Sequence, residues 1–369
     1  MAFAFFRTAA FRNLVDEELD VRGKDIFLVG ENGQGKTNFL EALYFCAYAS
    51  SFRGSRDGEM VRNGEKDCSV LARLENPLYE KICVKIERGR KTVELDGKRL
   101  EDRKELLAVI PCIVFCHEDM AFVSGTPEDR RWFFDQTQSL TDPAYLEDLR
   151  HYRRVLKIRN LVFRSPEYGG PLALNSAGEA LLDTLDPQLA EYGLKIMGKR
   201  KEAACQFSAV FGPLYEDVAG ISGITVSYSP SWKDGDMNRI IEGLAGRRAR
   251  EKAAGVSLSG PHRDRYQYHC DGGEFSAQAS TGQRRLLALL LRSAQARRFS
   301  AQTGRNPVLL LDDVLLELDP EKRRRFLAHM PSYDQAFYTF LPEEPIERYQ
   351  KGDTLVFAVE EGRIRPVPG

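Results

Sequence analysis

The sequence predicts an α/β fold in which a head is assembled from both ends of the chain and a helical arm is inserted between them. Three observations carry that prediction. The apolar run Ile26 to Val29 reads as a buried strand, enters a glycine-rich loop, and is followed from Thr37 by a strongly apolar helical segment. A second buried strand, Val308 to Leu311, ends in two carboxylates, and Asp312 lies 276 positions beyond Lys36. Between them the strand pattern stops near residue 125 and resumes only near Ile224.

The composition bounds the answer. A chain of 369 residues has room for roughly two to three domains of about 150 residues each. Its hydrophobic content of 43% and charged content of 29% exclude a disordered, collagen-like or disulfide-stapled chain. The net charge is −1, so a surface for nucleic acid has to be a local patch. Apolar runs such as Leu286 to Leu291 stop far short of the ~18 residues of a membrane span. The start carries Arg7 and Arg12 among apolar residues and has no signal-peptide pattern, and the seven scattered cysteines suit reduced thiols. The expected compartment is the cytoplasm.

After the helix from Thr37 to Ser50, the stretches Cys68 to Leu74, Lys81 to Glu87 and Thr92 to Leu95 are β-like and separated by Arg88-Gly89-Arg90 and Asp96-Gly97. They predict a small antiparallel sheet, and Ile110 to Cys116 predicts another buried strand. Thr126-Pro127-Glu128-Asp129 is a helix start, with a threonine cap and proline at the first position. Tyr145, Leu149, Tyr152 and Leu156 step by four and three, and Leu185, Leu189, Tyr192 and Ile196 repeat those steps beyond a loop at Pro166 to Pro171. Two helices with such a seam predict an antiparallel coiled arm, although an ordinary bundle has the same spacing. Strands near Ile224 and Arg265 to Cys270 enclose a basic helix, Met237 to Lys252. Helices Gly282 to Arg298 and Pro320 to Met330, and closing strands near Ala336 to Phe340 and Leu355 to Val359, complete the pattern. The expected domains are residues 1–124 as the first part of the head, 125–220 as the arm, and 221–369 as the rest of the head.

The chemistry is concentrated in three places. Gly30-Glu31-Asn32-Gly33-Gln34-Gly35-Lys36-Thr37 is a complete G-x-x-x-x-G-K-[ST] loop. Its glycines let backbone N–H groups curl around phosphates, and the helix points its positive end at them. Lys36 would reach the β- and γ-phosphates of ATP, and the Thr37 hydroxyl would help hold Mg²⁺. Gly30 through Thr37, with Asn38, are the expected nucleotide contacts. Of the two acids, Asp312 is expected at the metal and Asp313 at the attacking water, with Glu317 or Glu118 as substitutes for Asp313. Ser280-Thr281-Gly282-Gln283 opens a helix, and Gln283 stands 29 residues before Asp312. Alone it is an N-cap. In that position ATP-binding-cassette proteins keep a signature motif, and Val314 to Asp319 then matches the segment such proteins place at a dimer interface. One copy's phosphate loop would face the Ser280 to Gln283 helix of a second copy, with two ATP molecules joining them.

These and further pieces resemble the RecF family, of the SMC-like branch of the cassette ATPases. They are Phe11-Arg12-Asn13, Gly30 through Leu43, Ser51-Phe52-Arg53, Arg130 to Asp135, Tyr152 to Leu156 with Arg159-Asn160, Ser259 to Asp264, Ser280 to Gln283 and Leu311 to Asp319. The resemblance implies an ABC/SMC-type P-loop ATPase head with an inserted helical arm. It also implies an ATP-dependent homodimer, acting as a weak, DNA-stimulated ATPase switch, that binds DNA at single-strand gaps and junctions. Such a protein works with RecR and RecO to help RecA load, and takes part in replication and the SOS response. Arg12 would approach the nucleotide on the same ground.

Some positions depart from the family pattern. Arg265 stands where a second aspartate commonly follows His262-Arg263-Asp264, Thr281 replaces a usual glutamine, and His117 replaces a proline. Tyr338-Thr339-Phe340 sits where many transporter cassettes carry a switch histidine. The basic clusters Lys199-Arg200-Lys201, Arg247-Arg248-Arg250, Arg297-Arg298 and Arg323-Arg324-Arg325 are solvated helix faces or DNA contacts. Cys112 and Cys116 share a strand face and read as core rather than metal ligands, and His262 reads as structural or as a nucleotide or dimer contact. Two rival functions have other requirements. A transporter's ATPase subunit needs a membrane partner and leaves the arm unexplained. A small-molecule kinase needs neither the Ser280 motif nor acids so far downstream.

Overall fold

A computed structural model describes residues 1–170, 173–315 and 318–367, with Arg103 described by its backbone alone. The chain divides into two units, one of residues 1–120 with 285–369 and one of residues 121–284.

In the first unit the phosphate-loop strand, Asp25–Val29, lies inside a six-stranded sheet. Its spatial order is Arg363–Pro366, Thr354–Glu360, Asp25–Val29, Gln335–Phe340, Val308–Leu311 and Cys112–Phe115. Every pairing is parallel except that of the terminal hairpin. The strands Val308–Leu311 and Gln335–Phe340 are buried throughout, so they read as unbroken apolar runs and not as alternation. A second, antiparallel sheet runs in the order Glu18–Asp20, Ala2–Ala9, Cys68–Glu75, Lys81–Glu87, Arg90–Leu95 and Lys98–Arg99. It contains the small sheet expected from residues 68 to 95. Its longest pairing, of Ala2–Ala9 with Cys68–Glu75, joins segments that no local pattern connects. The turns at Arg88-Gly89 and Asp96-Gly97 have positive φ at both residues, the geometry of tight two-residue hairpins.

The helix Lys36–Tyr48 lies between these two sheets and is buried on every side, with Phe39, Leu40, Leu43, Phe45 and Cys46 in one core with Phe6, Val70, Val84, Leu28 and Leu310. A helix apolar all round has no solvent face to turn outward. Its one buried carboxylate, Glu41, is matched by Arg12, which donates two hydrogen bonds at 3.0 and 3.1 Å, and by the Ser51 hydroxyl.

The second unit is built on helices Pro127–Ser139, Pro143–Arg164 and Ser176–Ala219. Thr126 and Asp129 form a reciprocal capping box at the first, and Asp142 caps the second. The expected seam is present: Tyr145, Leu149, Tyr152, Leu185, Leu189 and Ile196 share a core, while Leu156 and Tyr192 are partly buried at its edge. The third helix is longer than its pattern suggests, 44 residues running through Pro187 and Pro213. The expected basic helix is two, Met237–Ala245 and Arg248–Ala254. Residues 221–284, expected with the head, belong instead to this unit, because Thr225–Ser229, Arg265–Cys270 and Gly273–Glu274 form their own three-stranded antiparallel sheet. This unit therefore extends well past residue 220 and carries strands as well as helices.

A charged knot sits inside this unit. Arg159 has no exposed side-chain surface and pairs with Asp186 and Glu251, each at 2.7 Å, while Arg248 takes the other oxygen of Asp186 at 2.7 Å and reaches Glu179 and Asp183. Removing one member of a buried pair leaves its partners charged and unmatched. Arg159→Leu is therefore expected to lower unfolding stability by about 3–5 kcal/mol, read from a urea titration followed by circular dichroism. A loss below about 1 kcal/mol would show that the knot is solvated and contributes little.

Candidate functional site

The site grows out of the end of the phosphate-loop strand. Gly30 is buried, and a Cβ there would stand 2.2 Å from the carbonyl oxygen of Val359 on the adjacent strand, so only glycine lets the chain leave the sheet at that point. Gly35 has φ of 117°, left-handed backbone that favours glycine, and brings the chain into the helix at Lys36. The loop is braced from the C-terminal hairpin. Glu361 N–H donates to Gln34 Oε1 at 2.6 Å, and Gly362 N–H donates to the Gln34 carbonyl at 2.8 Å. No feature of the local sequence points to that brace.

Lys36 is turned back into its own loop, its ammonium donating to the carbonyls of Gly30 at 2.5 Å and Glu31 at 3.2 Å. Those are the interactions that a polyanion entering the loop would compete with. Beside it, Asn38 donates to Asn13 at 2.7 Å and accepts from Arg53 at 3.2 Å. Arg12 donates to Glu41, on the helix behind the loop, and to Ser55 at 2.7 Å.

The two acids reach the loop across one intervening strand, because Gln335–Phe340 separates Asp25–Val29 from Val308–Leu311. The Thr37 hydroxyl donates to Asp312 Oδ1 at 2.9 Å. Withdrawal from water pushes the Asp312 carboxyl up to about 7; the nearby charges of Asp313 and Glu118 add to this, and the Thr37 and Thr339 hydroxyls oppose it. A hydroxyl and a carboxylate are the hard oxygen donors that Mg²⁺ takes when phosphates and water fill its other positions. Among the described residues no cluster of three or more His, Cys, Asp or Glu gathers for a metal. Asp313 has φ of 52°, and both its N–H and its carboxylate are bonded to Thr339. Thr339 is a residue that the sequence pattern does not single out. Its only signal was a place in the apolar strand where a switch histidine was missing.

Other expected residues are placed as follows. Glu118 is exposed just beyond the strand Cys112–Phe115, with Asp119 behind it paired to Arg292 at 2.7 Å. Glu317 lies outside the described residues, as does part of the segment from Val314 to Asp319. Ser280, Thr281 and Gly282 are exposed at the start of the helix Thr281–Thr303, where Ser280 N–H donates to Gln283 Oε1 at 2.8 Å and Gln283 N–H to Ser280 Oγ at 3.3 Å. That reciprocal pair is a capping box, and it belongs to the second unit. His262 spends both ring nitrogens there, on the Tyr152 hydroxyl at 2.7 Å and the Ser257 carbonyl at 3.1 Å, and burial lowers its pKa to about 4. Arg265 is exposed beside Asp264, whose carboxylate binds Arg200 at 2.8 Å. Much of the clustered basic charge is matched within the fold. Arg200 and Arg248 are buried in ion pairs, and Arg324 and Arg325 both meet Glu321. Cys112 and Cys116 are buried, and burial raises both thiols. Among the described residues no helix is long and apolar enough to cross a membrane.

A family profile described as RecF/RecN/SMC N terminal domain matches residues 5–356. The DNA replication and repair protein RecF of Treponema pallidum (strain Nichols) is 42% identical over 95% of this chain and 97% of its own. RecF of Anaeromyxobacter sp. (strain Fw109-5) is 34% identical over 97% of both chains. Among solved structures, the recombination mediator protein RecF-ATP of the RecFOR pathway superposes with a TM-score of 0.88 at 26% identity, covering 100% of this chain and 98% of that one. An Smc head bound to the C-winged helix domain of ScpA has a TM-score of 0.56 at 13% identity, covering 100% and 97%, a likeness of fold.

The raised Asp312 carboxyl gives the site a pH signature. It keeps its proton below about 7, and a metal at this position competes with that proton. The apparent Mg²⁺ affinity of the ATP-loaded chain is expected to rise about fivefold from pH 6 to pH 7 beyond the change due to ATP itself, and about twofold more above pH 7 before it levels off. Asp312→Asn, which has no proton to lose, removes that extra rise in a Mg²⁺ titration; equal slopes in the two chains would take Asp312 away from the metal.

Proposed function

The chain belongs to the RecF family, and we propose that it is an ATP-gated DNA-binding protein of recombinational gap repair, with slow hydrolysis as the reset. The observation that carries this reading is the bond from the Thr37 hydroxyl to Asp312, which closes a complete phosphate loop on the carboxylate strand.

ATP would settle into the backbone N–H groups of Gly30 to Gly35, and Lys36 would exchange the loop carbonyls for the β- and γ-phosphates. Asn38 would lie beside them. Thr37 and Asp312 would hold Mg²⁺, which supplies positive charge along the phosphates. Asp313 would orient the attacking water, with Glu118, near enough to act on the Asp312 carboxyl, as the next carboxylate in line.

In the same reading Ser280, Thr281, Gly282 and Gln283 act in trans. Their exposed hydroxyls and N–H groups would cap the phosphates bound by a second copy, so that ATP makes a homodimer of two heads. Its ligand would be DNA at single-strand gaps and duplex junctions, and its partners RecR, with RecO and RecA in the pathway, during repair, replication and the SOS response. With a net charge of −1, the DNA surface has to be a local one, and closing two copies would double it.

Sedimentation tests this reading. The chain is expected to sediment as a single copy alone and as a dimer with ATP, more so with gapped duplex, whereas Lys36→Ala stays single and binds no ATP. A mass unmoved by ATP would overturn it. The trans arrangement has its own test in Ser280→Arg. That variant is expected to bind ATP within about threefold of the unaltered chain and to show no ATP-dependent association. Loss of ATP binding in the single copy would place the motif in cis.

A further inference from the structure

We propose that Thr339 is a positioning residue for hydrolysis, its hydroxyl aiming the Asp313 carboxylate, an inference that rests on the nucleotide-switch reading above. Asp313 occupies left-handed backbone, with φ of 52°. For a residue with a side chain that conformation costs about 1–2 kcal/mol, and local bonds have to hold it. Two such bonds come from Thr339. Asp313 N–H donates to Thr339 Oγ1 at 2.7 Å, and the Thr339 hydroxyl donates to Asp313 Oδ1 at 2.7 Å. Together they fix both the backbone turn and the direction of the carboxylate.

Thr339 is well suited to aim another group. It is 3% exposed, so water scarcely competes for its hydroxyl. It sits on the strand between the phosphate-loop strand and the carboxylate strand, opposite Leu28, and a β-branched side chain in a strand has little freedom at χ1.

The same hydroxyl lies 3.4 Å from Asp312 Oδ1 and has one proton to give. The shorter contact gives that proton to Asp313, while Asp312 receives its own from Thr37 at 2.9 Å. Two adjacent carboxylates of one residue type are thus given different environments by two threonines. One acid is tied to the phosphate loop and the other to the neighbouring strand. That separation is what a division between metal holding and water polarisation needs, since like charges side by side otherwise share their protons.

The test uses the full chain and two measurements, equilibrium ATP binding and single-turnover hydrolysis of bound ATP. Thr339→Val keeps shape and branching but removes the hydroxyl. It is expected to bind ATP within about twofold of the unaltered chain and to hydrolyse it about tenfold or more slowly. Thr339→Ser restores the hydroxyl and should return the rate to within about threefold. In an Asp313→Asn chain, Thr339→Val should have little further effect, because both act through one carboxylate. The proposal is overturned if Thr339→Val hydrolyses normally, if it loses ATP binding, or if it slows the Asp313→Asn chain by the same factor. Failure of the unaltered chain to bind ATP would instead strike the reading beneath it.

Discussion

The helix Lys36–Tyr48 is enclosed between two sheets, and the geometry of the site depends on that enclosure. With Phe39, Leu40, Leu43 and Phe45 all fully buried, each worth about 1.5–3 kcal/mol of transfer free energy, the helix cannot rotate or slide without exposing apolar surface on one side or the other. Its N-terminus is therefore a fixed point, and Lys36 and Thr37 are its first two residues. Glu41, the one carboxylate inside this enclosure, is held by Arg12 and Ser51 and ties the helix to segments before and after it. An anion arriving at the loop meets donors whose positions were settled by packing on a scale much larger than the site.

Much of this was legible in the sequence because the signals are local. The phosphate loop, the strand before it and the helix after it lie within some two dozen residues, and each has its own period or turn chemistry. The same holds for the Thr126 cap and for the seam of Tyr145, Leu149 and Tyr152. The carboxylate strand could be read because a strand buried on both faces is an unbroken apolar run. What stayed hidden was pairing at long range. Period alone shows that Arg265 to Cys270 is a strand but not which sheet it joins, so residues 221–284 were expected with the head when they complete the second unit. The third helix runs on through Pro187 and Pro213, a case in which packing overrides a local rule against proline, and the seam at Leu185 to Ile196 marks only part of its length. Arg200 and Arg248 read as exposed charge because the aspartates that bury them, Asp135, Asp264 and Asp186, are far away in sequence. Thr339 belongs with these cases. A threonine in an apolar strand carries no signal until the strand is seen lying between the two that carry the chemistry.

The two acids and the two threonines also bear on specificity of role. Asp312 and Asp313 are identical side chains one residue apart, and sequence gives no ground for distinguishing them beyond order. Their surroundings do, with Thr37 at one and Thr339 at the other. The two carboxylates are thus bonded to different elements, Asp312 to the first turn of the helix Lys36–Tyr48 and Asp313 to the strand Gln335–Phe340, while burial is what raises the Asp312 carboxyl.

The strand order of the first unit has a consequence for how the protein is made. The phosphate-loop strand, Asp25–Val29, pairs with Gln335–Phe340 on one side and Thr354–Glu360 on the other, so both of its neighbours emerge from the ribosome more than three hundred residues after it does. The second unit draws its sheet and its helices from residues 121–284 and can close while the C-terminal strands are still being translated. The nascent head then waits with its phosphate-loop strand unpaired until Gln335–Phe340 and Thr354–Glu360 have been made. Contacts so distant in sequence close slowly. A ribosome stalled before Gln335–Phe340 would hold a chain whose second unit can fold while the phosphate-loop strand still lacks both of its neighbours.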